Sequence, residues 1–278
     1  MQLFFCLCVI YSATIFAKER LPDSILTEQY IYCKQLHAEE KYFDAVTEAK
    51  RLIFFDSLKE YSFGANSLIA DCYKQGGKFR EALIFLGIAS KYVSNEEEKI
   101  TNKIESIRIH ILNRSTSIAL RQVEELKLAY TEREAESHYW KGWIYMFADR
   151  WGDAANMFAL IDTCEYLKKF CEDIDNKKYS VTFAKAISYF LPGSGQVYSG
   201  EYINGILSLG WNIASGYLSV EAFKEERVFD GAAILSLLWL RFYSGNISNA
   251  EKFAKEKNSE LYNSALNYLQ LNYKGLKP

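Results

Sequence analysis

Three histidines and six cysteines are the residues of this 278-residue chain best suited to hold a metal, move a proton or attack an electrophile. None of them is arranged for it. His37, His110 and His138 have no Cys, Asp or Glu around them at a recognised metal-ligand spacing. Glu134 precedes His138 by four residues, which on a helix gives a surface pair and not a catalytic dyad. His110 falls in a core-like position and is expected to be a hydrogen-bonded packing residue. Beyond a leader containing Cys6 and Cys8, the four cysteines Cys33, Cys72, Cys164 and Cys171 allow three pairings in an oxidising compartment. On one continuous helix Cys164 and Cys171 would lie about 10 Å apart along the axis. A disulfide accepts Cα separations of ~4.4 to 6.8 Å, so those two pair only across a turn. Cys33 and Cys72 sit in apolar helical stretches, where a buried thiol behaves as a small hydrophobe. The glycine-rich run GSGQVYSG (193–200) lacks the Lys-Ser/Thr ending of a phosphate cradle, and no strand precedes it. The expectation is a protein that is not an enzyme, with no cofactor and no metal.

The elements that must position these residues are helices. Hydrophobic residues make up 49% and charged residues 24%, which excludes disorder, and a net charge of -2 gives no reason to expect nucleic acid. The prolines are Pro22, Pro192 and Pro278, so residues 23–191 lack the strongest helix breaker. Within that stretch KYFDAVTEAKRL (41–52) aligns with KFREALIFLGIA (78–89), placing Ala45 on Ala82, and the same 37-residue step reaches Ala119. A fourth copy, RWGDAANMFALI (150–161), follows after 35 residues with Ala154. Ser57 with Glu60, Ser94 with Glu97 and Thr131 with Glu134 share the 37-residue step and predict capping boxes at helix starts.

In LIADCYKQGGKFREAL (68–83) and WKGWIYMFADRWGDAANMF (140–158), a small residue precedes Tyr73 or Tyr145 by three, and an aromatic precedes Ala82 or Ala154 by three. Residues 25–165 thereby resemble the tetratricopeptide repeat family, with departures: a period of 37, no proline ending each unit, and His110 in an aromatic slot. The resemblance implies a superhelical solenoid whose groove takes a protein or peptide partner, with Ala45, Ala82, Ala119, Ala154, Tyr73 and Tyr145 as packing residues.

Both flanks of the array carry a different signal. Residues 1–17 have the form of a secretory signal peptide, an apolar run followed by small residues and a charged cluster at 18–20. Past Lys185 a single charge, Glu201, occurs before Glu221. Residues 202–220 form a charge-free stretch of 19 and residues 231–240 a shorter apolar run, read as a membrane hairpin. The segment PGSGQVYSG (192–200) resembles the P-G-x-G-Q-x-Y-x-G signature of small paired-transmembrane-segment domains. Pro192, Gly193, Gly195, Gln196, Tyr198 and Gly200 carry that likeness, joined by Tyr243, Gly245 and Asn246 at the end of the second run. A charged tail follows with an apolar stripe at Leu261, Ala265, Tyr268 and Leu269.

The chain is therefore expected to be all-α: a signal peptide (1–17), a tetratricopeptide-like domain (18–178) and a Gly-rich helical membrane domain with an amphipathic tail (179–278). Its expected location is the cell envelope, associated with membrane lipid, with the repeats on the non-cytoplasmic side. The expected function is a non-enzymatic scaffold or adaptor binding protein partners. The alternative is a membrane component of an envelope transport or assembly machine in which the hairpin is the working part.

Overall fold

The structure, a computed structural model, describes residues 22–278. The expected signal peptide, 1–17, lies outside the described residues. Among the described residues every regular element is helical. The chain divides into two compact units, one holding residues up to Ala148 together with Lys277–Pro278, the other Asp149–Leu276.

Among the described residues the first unit contains seven α-helices: α1 (Asp23–Ala38), α2 (Tyr42–Phe55), α3 (Ser62–Gln75), α4 (Phe79–Ala89), α5 (Glu96–Leu112), α6 (Thr116–Ala129) and α7 (Glu134–Phe147). The second contains α8 (Trp151–Phe158), α9 (Glu165–Lys177), α10 (Val181–Phe190), the short α11 (Ser194–Tyr198), α12 (Tyr202–Lys224), α13 (Val228–Ile234) and the 33-residue α14 (Leu240–Asn272). The fourth sequence copy thus places its α8 in the second unit.

A left-handed turn residue keeps time with the repeat. Glu40, Gly77, Arg114 and Asp149 have φ of 59°, 69°, 52° and 61°, and they stand 37, 37 and 35 residues apart. Each lies between the two helices of a pair. In the first three, the next residue donates its N–H back five positions into the closing helix: Lys41 to Leu36 O (2.9 Å), Lys78 to Tyr73 O (2.8 Å) and Ser115 to His110 O (2.9 Å). These bonds satisfy carbonyls that the end of a helix leaves without partners. The following helix then opens with the repeat alanine: Ala45 N–H on Lys41 O, Ala82 on Lys78 O, Ala119 on Ser115 O and Ala154 on Arg150 O, at 2.9 to 3.1 Å.

All four alanines are fully buried. A methyl-sized side chain there lets neighbouring helices approach, and larger residues close the gaps. Leu26, Cys33, Ala49, Leu52, Ala65 and Ile69 form one cluster from α1, α2 and α3. Ala70, Ala82, Leu86 and Ile109 form the next, with half-buried Tyr73 stacked on Phe85 at 5.4 Å between centroids. Fully burying a side chain such as Leu52 or Ile69 contributes about 1.5–3 kcal/mol.

The predicted capping boxes are replaced by neighbouring residues. Asp56, not Ser57, serves the start of α3: its carboxylate accepts the N–H groups of Glu60 (3.1 Å) and Tyr61 (3.0 Å) and the hydroxyl of Ser62 (3.3 Å). Asn95 caps α5 by accepting the Glu98 N–H at 2.8 Å, while Glu98 reaches back to the Ser94 N–H at 2.7 Å. The box is real but one residue later than Ser94 with Glu97. Thr131–Arg133 form a 3-10 turn, and α7 starts at Glu134 without a side-chain cap. Asp and Asn sit next to the predicted serines, and a carboxylate or amide oxygen is at least as good an acceptor for helix-start N–H groups.

In the second unit the expected hairpin takes another form. The first apolar run lies inside α12, which extends to Lys224. The second does not stop at Arg241: α13 passes through a π-helical turn, Leu235–Trp239, directly into α14. Tail and second run are therefore nearly one helix. Its buried stripe is Asn246, Ala250, Ala254, Asn258, Tyr262, Ala265 and Leu269, whereas Leu261 is half-buried and Tyr268 lies 48% exposed. Among the described residues no helix is long and apolar enough to cross a membrane. Two asparagines and the serines and glycines of α12 dilute its hydropathy.

Candidate functional site

The motif residues converge on the side chain of Asn246 in α14. Its Oδ1 accepts the Gly193 N–H at 2.7 Å, the Gln196 Nε2–H at 3.0 Å and the Ser208 hydroxyl at 3.0 Å. Its Nδ2 donates to Ser188 O at 3.0 Å, and its own carbonyl accepts a second bond from Gln196 Nε2 at 3.0 Å. The Ser188 hydroxyl in turn accepts the Gly195 N–H at 3.0 Å. Gln196 and Asn246 are 1% and 2% exposed, so this network operates where polar groups without partners are costly. It fastens α10, α11 and α12 to one residue of α14.

The glycines make that approach possible. Gly193 has φ of 92°, and a Cβ there would meet Gly205 O at 2.2 Å. A Cβ on Gly195 would lie 2.3 Å from Ala184 O and 2.6 Å from the Ala250 methyl. Pro192 follows the last residue of α10 by two and cannot continue the helix. Gly200 (φ 83°) closes α11 with a turn of the kind seen in the repeats: Glu201 N–H on Gln196 O at 2.8 Å, then Gly205 N–H on Glu201 O at 2.9 Å.

Tyr198 and Tyr243 tie down the ends of α10. The Tyr198 hydroxyl accepts the Ser180 N–H at 3.0 Å, and its ring meets Tyr179 and Phe183 edge-on. Tyr243 donates to Tyr189 O at 2.8 Å. Gly245 has open space around its Cβ position and is not required by the packing. Three turns further along α14, Asn258 repeats the use of an amide: it accepts the Tyr179 N–H at 2.7 Å and donates to Tyr179 O at 2.9 Å. Neither Ser188 nor Asn258 had a signal in the sequence, since a serine in an apolar helix and an asparagine in a charged one have many ordinary uses.

The helix beside this network is inverted. The buried stripe of α12 is Gly205, Asn212, Ser215, Ser219 and Ala222, without one large apolar side chain. Facing outward are Ile203, Ile206, Leu207, Trp211, Ile213, Tyr217, Leu218 and Val220, each more than half exposed. The surface continues on Val228, Phe229 and Leu237. The inward polar groups turn to the backbone: Asn212 Nδ2 to Ser208 O (2.8 Å), Ser215 Oγ to Trp211 O (2.6 Å) and Ser219 Oγ to Gly231 O (2.9 Å). A helix on the surface of a water-soluble domain buries its apolar stripe. Here the order is reversed, as it is where lipid is the solvent and small residues mediate contact between helices.

The other reactive side chains are packed away. Cys33, Cys72, Cys164 and Cys171 are free and buried. Burial pushes the Cys33 thiol up to about 11 and those of Cys72 and Cys171 up to about 12, far from a reactive thiolate. Burial, then the nearby Arg121 charge, lowers the pKa of His110, whose Nδ1 has no partner. Burial also lowers that of His138, whose Nε2 lies 3.9 Å from Glu134 Oε1. Tyr145, the expected packing aromatic of α7, is half-buried. Among the described residues no group of three His, Cys, Asp or Glu could hold a metal ion.

Fold and site together define an all-helical, repeat-like protein joined to a helical unit locked by buried amides, in which α12 turns its apolar side chains outward. No protein-family model, no curated protein and no solved structure matches the chain.

Proposed function

We propose that the protein is a membrane-attached, non-enzymatic scaffold. The second unit holds it at a bilayer, and the helical repeats, which resemble tetratricopeptide repeats, present a docking surface for protein partners in the cell envelope. The observation that carries this reading is the inversion of α12. Asn212, Ser215 and Ser219 are 4%, 3% and 2% exposed, while Ile206 on the opposite side is 69% exposed. In water the outward face would expose a continuous apolar surface, and such surfaces mark membrane or partner contact. Against acyl chains the same face is stable, and inward serines and asparagines bonded to backbone carbonyls are tolerated. Attachment by this face needs no helix that spans the bilayer: α12, α13 and the start of α14 enter it with their apolar sides. Export by a signal peptide at residues 1–17 accounts for the envelope location.

The test is flotation of the full chain with phosphatidylethanolamine–phosphatidylglycerol vesicles, followed by an alkaline carbonate wash. The wild type floats and resists the wash, whereas Ile206→Lys with Leu218→Lys stays at the bottom of the gradient. Leu128→Lys, which replaces a still more exposed residue of α6, floats like the wild type. A wild-type chain that does not float, or a double variant that still does, overturns the reading.

A further inference from the structure

Along the first helix of each repeat pair runs a chain of charges. His37 Nε2 (α1) lies 2.5 Å from Asp71 Oδ2 (α3), Asp71 Oδ1 lies 2.6 Å from Lys74 Nζ, and Lys74 Nζ lies 2.9 Å from Glu105 Oε2 (α5). Glu105 pairs with Arg108 one turn on, and the Arg108 guanidinium stands 5.9 Å from the ring centre of Trp140 in α7. The Lys74 side chain is only 4% exposed, so the row is a built feature and not a set of solvated surface pairs. Signs alternate along it, and each charge before Arg108 has its partner within the row.

Arg108 has donors beyond the one given to Glu105, and a peptide carbonyl takes one of them. Its Nε donates to the main-chain carbonyl of Lys277 at 3.0 Å. Residues Lys274, Gly275 and Leu276 are exposed, yet Lys277 and Pro278 become half-buried again and group with the repeat unit. A main-chain carbonyl is a feature every extended peptide offers. The guanidinium is planar and pre-oriented by Glu105 on one side and the indole on the other, a geometry suited to a directed hydrogen bond.

We propose that Arg108, Glu105 and Trp140 form the centre of a peptide-docking site on the repeats that takes a chain segment by its main-chain carbonyl, and that Lys277–Pro278 of the same chain occupy it. A partner carrying such a segment binds only by displacing the internal one. The proposal rests on the reading of the repeats as a docking surface and names its ligand and its control. A tethered segment competes at an effective concentration on the order of mM, so the occupied site is closed to partners at ordinary concentrations.

The test uses a fluorescein-labelled peptide of sequence NYKGLKP, residues 272–278, read by fluorescence anisotropy in maltoside micelles. Micelles keep the result independent of whether the second unit binds bilayers, so failure here and failure of vesicle flotation are separate outcomes. A chain lacking residues 274–278 binds the peptide at least tenfold more tightly than the full chain. Arg108→Gln in the shortened chain weakens binding at least tenfold, with its helical circular dichroism unchanged. Equal binding by the full and shortened chains, or no binding by either, overturns the proposal. That comparison decides without the Arg108 variant, should the latter fold poorly.

Discussion

Gly193 and Asn246 are joined across 53 residues of sequence by a single hydrogen bond of 2.7 Å, from the backbone N–H of a left-handed glycine to a buried amide oxygen. The bond explains why a turn and a distant helix depend on one another. Gly193 can point its N–H inward only with φ of 92°, and Asn246 is the residue of α14 that meets it. The same amide also serves Gln196, Ser208 and Ser188, so its loss leaves several buried groups without partners at once.

Asn246→Leu is therefore expected to destabilise the second unit by about 3 kcal/mol or more, since each orphaned buried polar group costs ~1–3 kcal/mol. Gln196→Leu is expected to cost less. Its Oε1 has no partner in the folded protein, so removing the amide also removes an uncompensated desolvation. Urea unfolding in micelles followed by circular dichroism gives the order; a Gln196 variant weaker than the Asn246 variant contradicts it.

Two glycines of the motif are expected to respond oppositely to alanine. At Gly195 a Cβ falls 2.3 Å from a backbone carbonyl that cannot move without shifting α10, so Gly195→Ala destabilises by about 2 kcal/mol or more. At Gly245 nothing lies within 4 Å, and the residue sits inside α14, where alanine is favoured by about 0.5–1 kcal/mol. Thermal midpoints of the two variants should fall on opposite sides of the wild type.

The repeat was legible because two signals with simple causes coincide: a small residue where helices meet, at Ala45, Ala82, Ala119 and Ala154, and a fixed chain length around each turn. The caps were not, because Ser57 competes with its neighbour Asp56 and Ser94 with Asn95, and only the backbone path decides which oxygen faces the free N–H groups. The all-helical class followed from the lack of proline. The continuity of α13 with α14 through a π turn did not follow, since Arg241 looked like the end of an apolar run. Composition marked α12 as unusual, but which of its faces is buried depends on where Gly193, Gly195 and Asn246 hold its neighbours.

The four cysteines are expected to be silent towards alkylation in the folded chain. With Cys33, Cys72 and Cys171 thiols raised to about 11 or 12 by burial and the Cys164 thiol also raised, almost no thiolate exists at pH 8. Peptide mass mapping after iodoacetamide should find these four unmodified without denaturant and modified in 6 M guanidinium. Modification of Cys33 or Cys72 in the native protein would show that their cluster opens.

Stability should fall in acid in a way traceable to Glu251. Hydrogen bonds from Lys185 and Lys255, at 2.8 and 2.6 Å, hold its carboxyl down at about 2 against an ordinary value of 4.5. A lowered folded-state pKa gives stability that is present above the unfolded value and lost as pH falls from about 4.5 towards 2. Glu251→Gln should unfold earlier than the wild type at pH 7, and the gap should narrow as pH falls through that window. The carboxylate is open to solvent over about a third of its side chain, so added salt should shrink the gap as well. A gap independent of both pH and salt would assign the effect to packing.

The left-handed turn offers the sharpest separation of backbone from side chain. Gly77 and Arg114 occupy the same place in successive repeats, with φ of 69° and 52°, and a Cβ at Gly77 would meet nothing within 4 Å. Any effect of Gly77→Ala is therefore conformational, and a left-handed alanine costs about 1–2 kcal/mol relative to its preferred basins. The same strain is already present at Arg114, so Arg114→Gly should relieve it. The gain is smaller than the loss at Gly77, because glycine also widens the unfolded ensemble. Gly77→Ala should lower the unfolding free energy by about 1 kcal/mol, and Arg114→Gly should leave it unchanged or raise it by up to about 1 kcal/mol. If both variants are destabilised alike in urea titrations, the Arg114 side chain contributes contacts that outweigh its backbone, and the two turns are alike in geometry but not in energy.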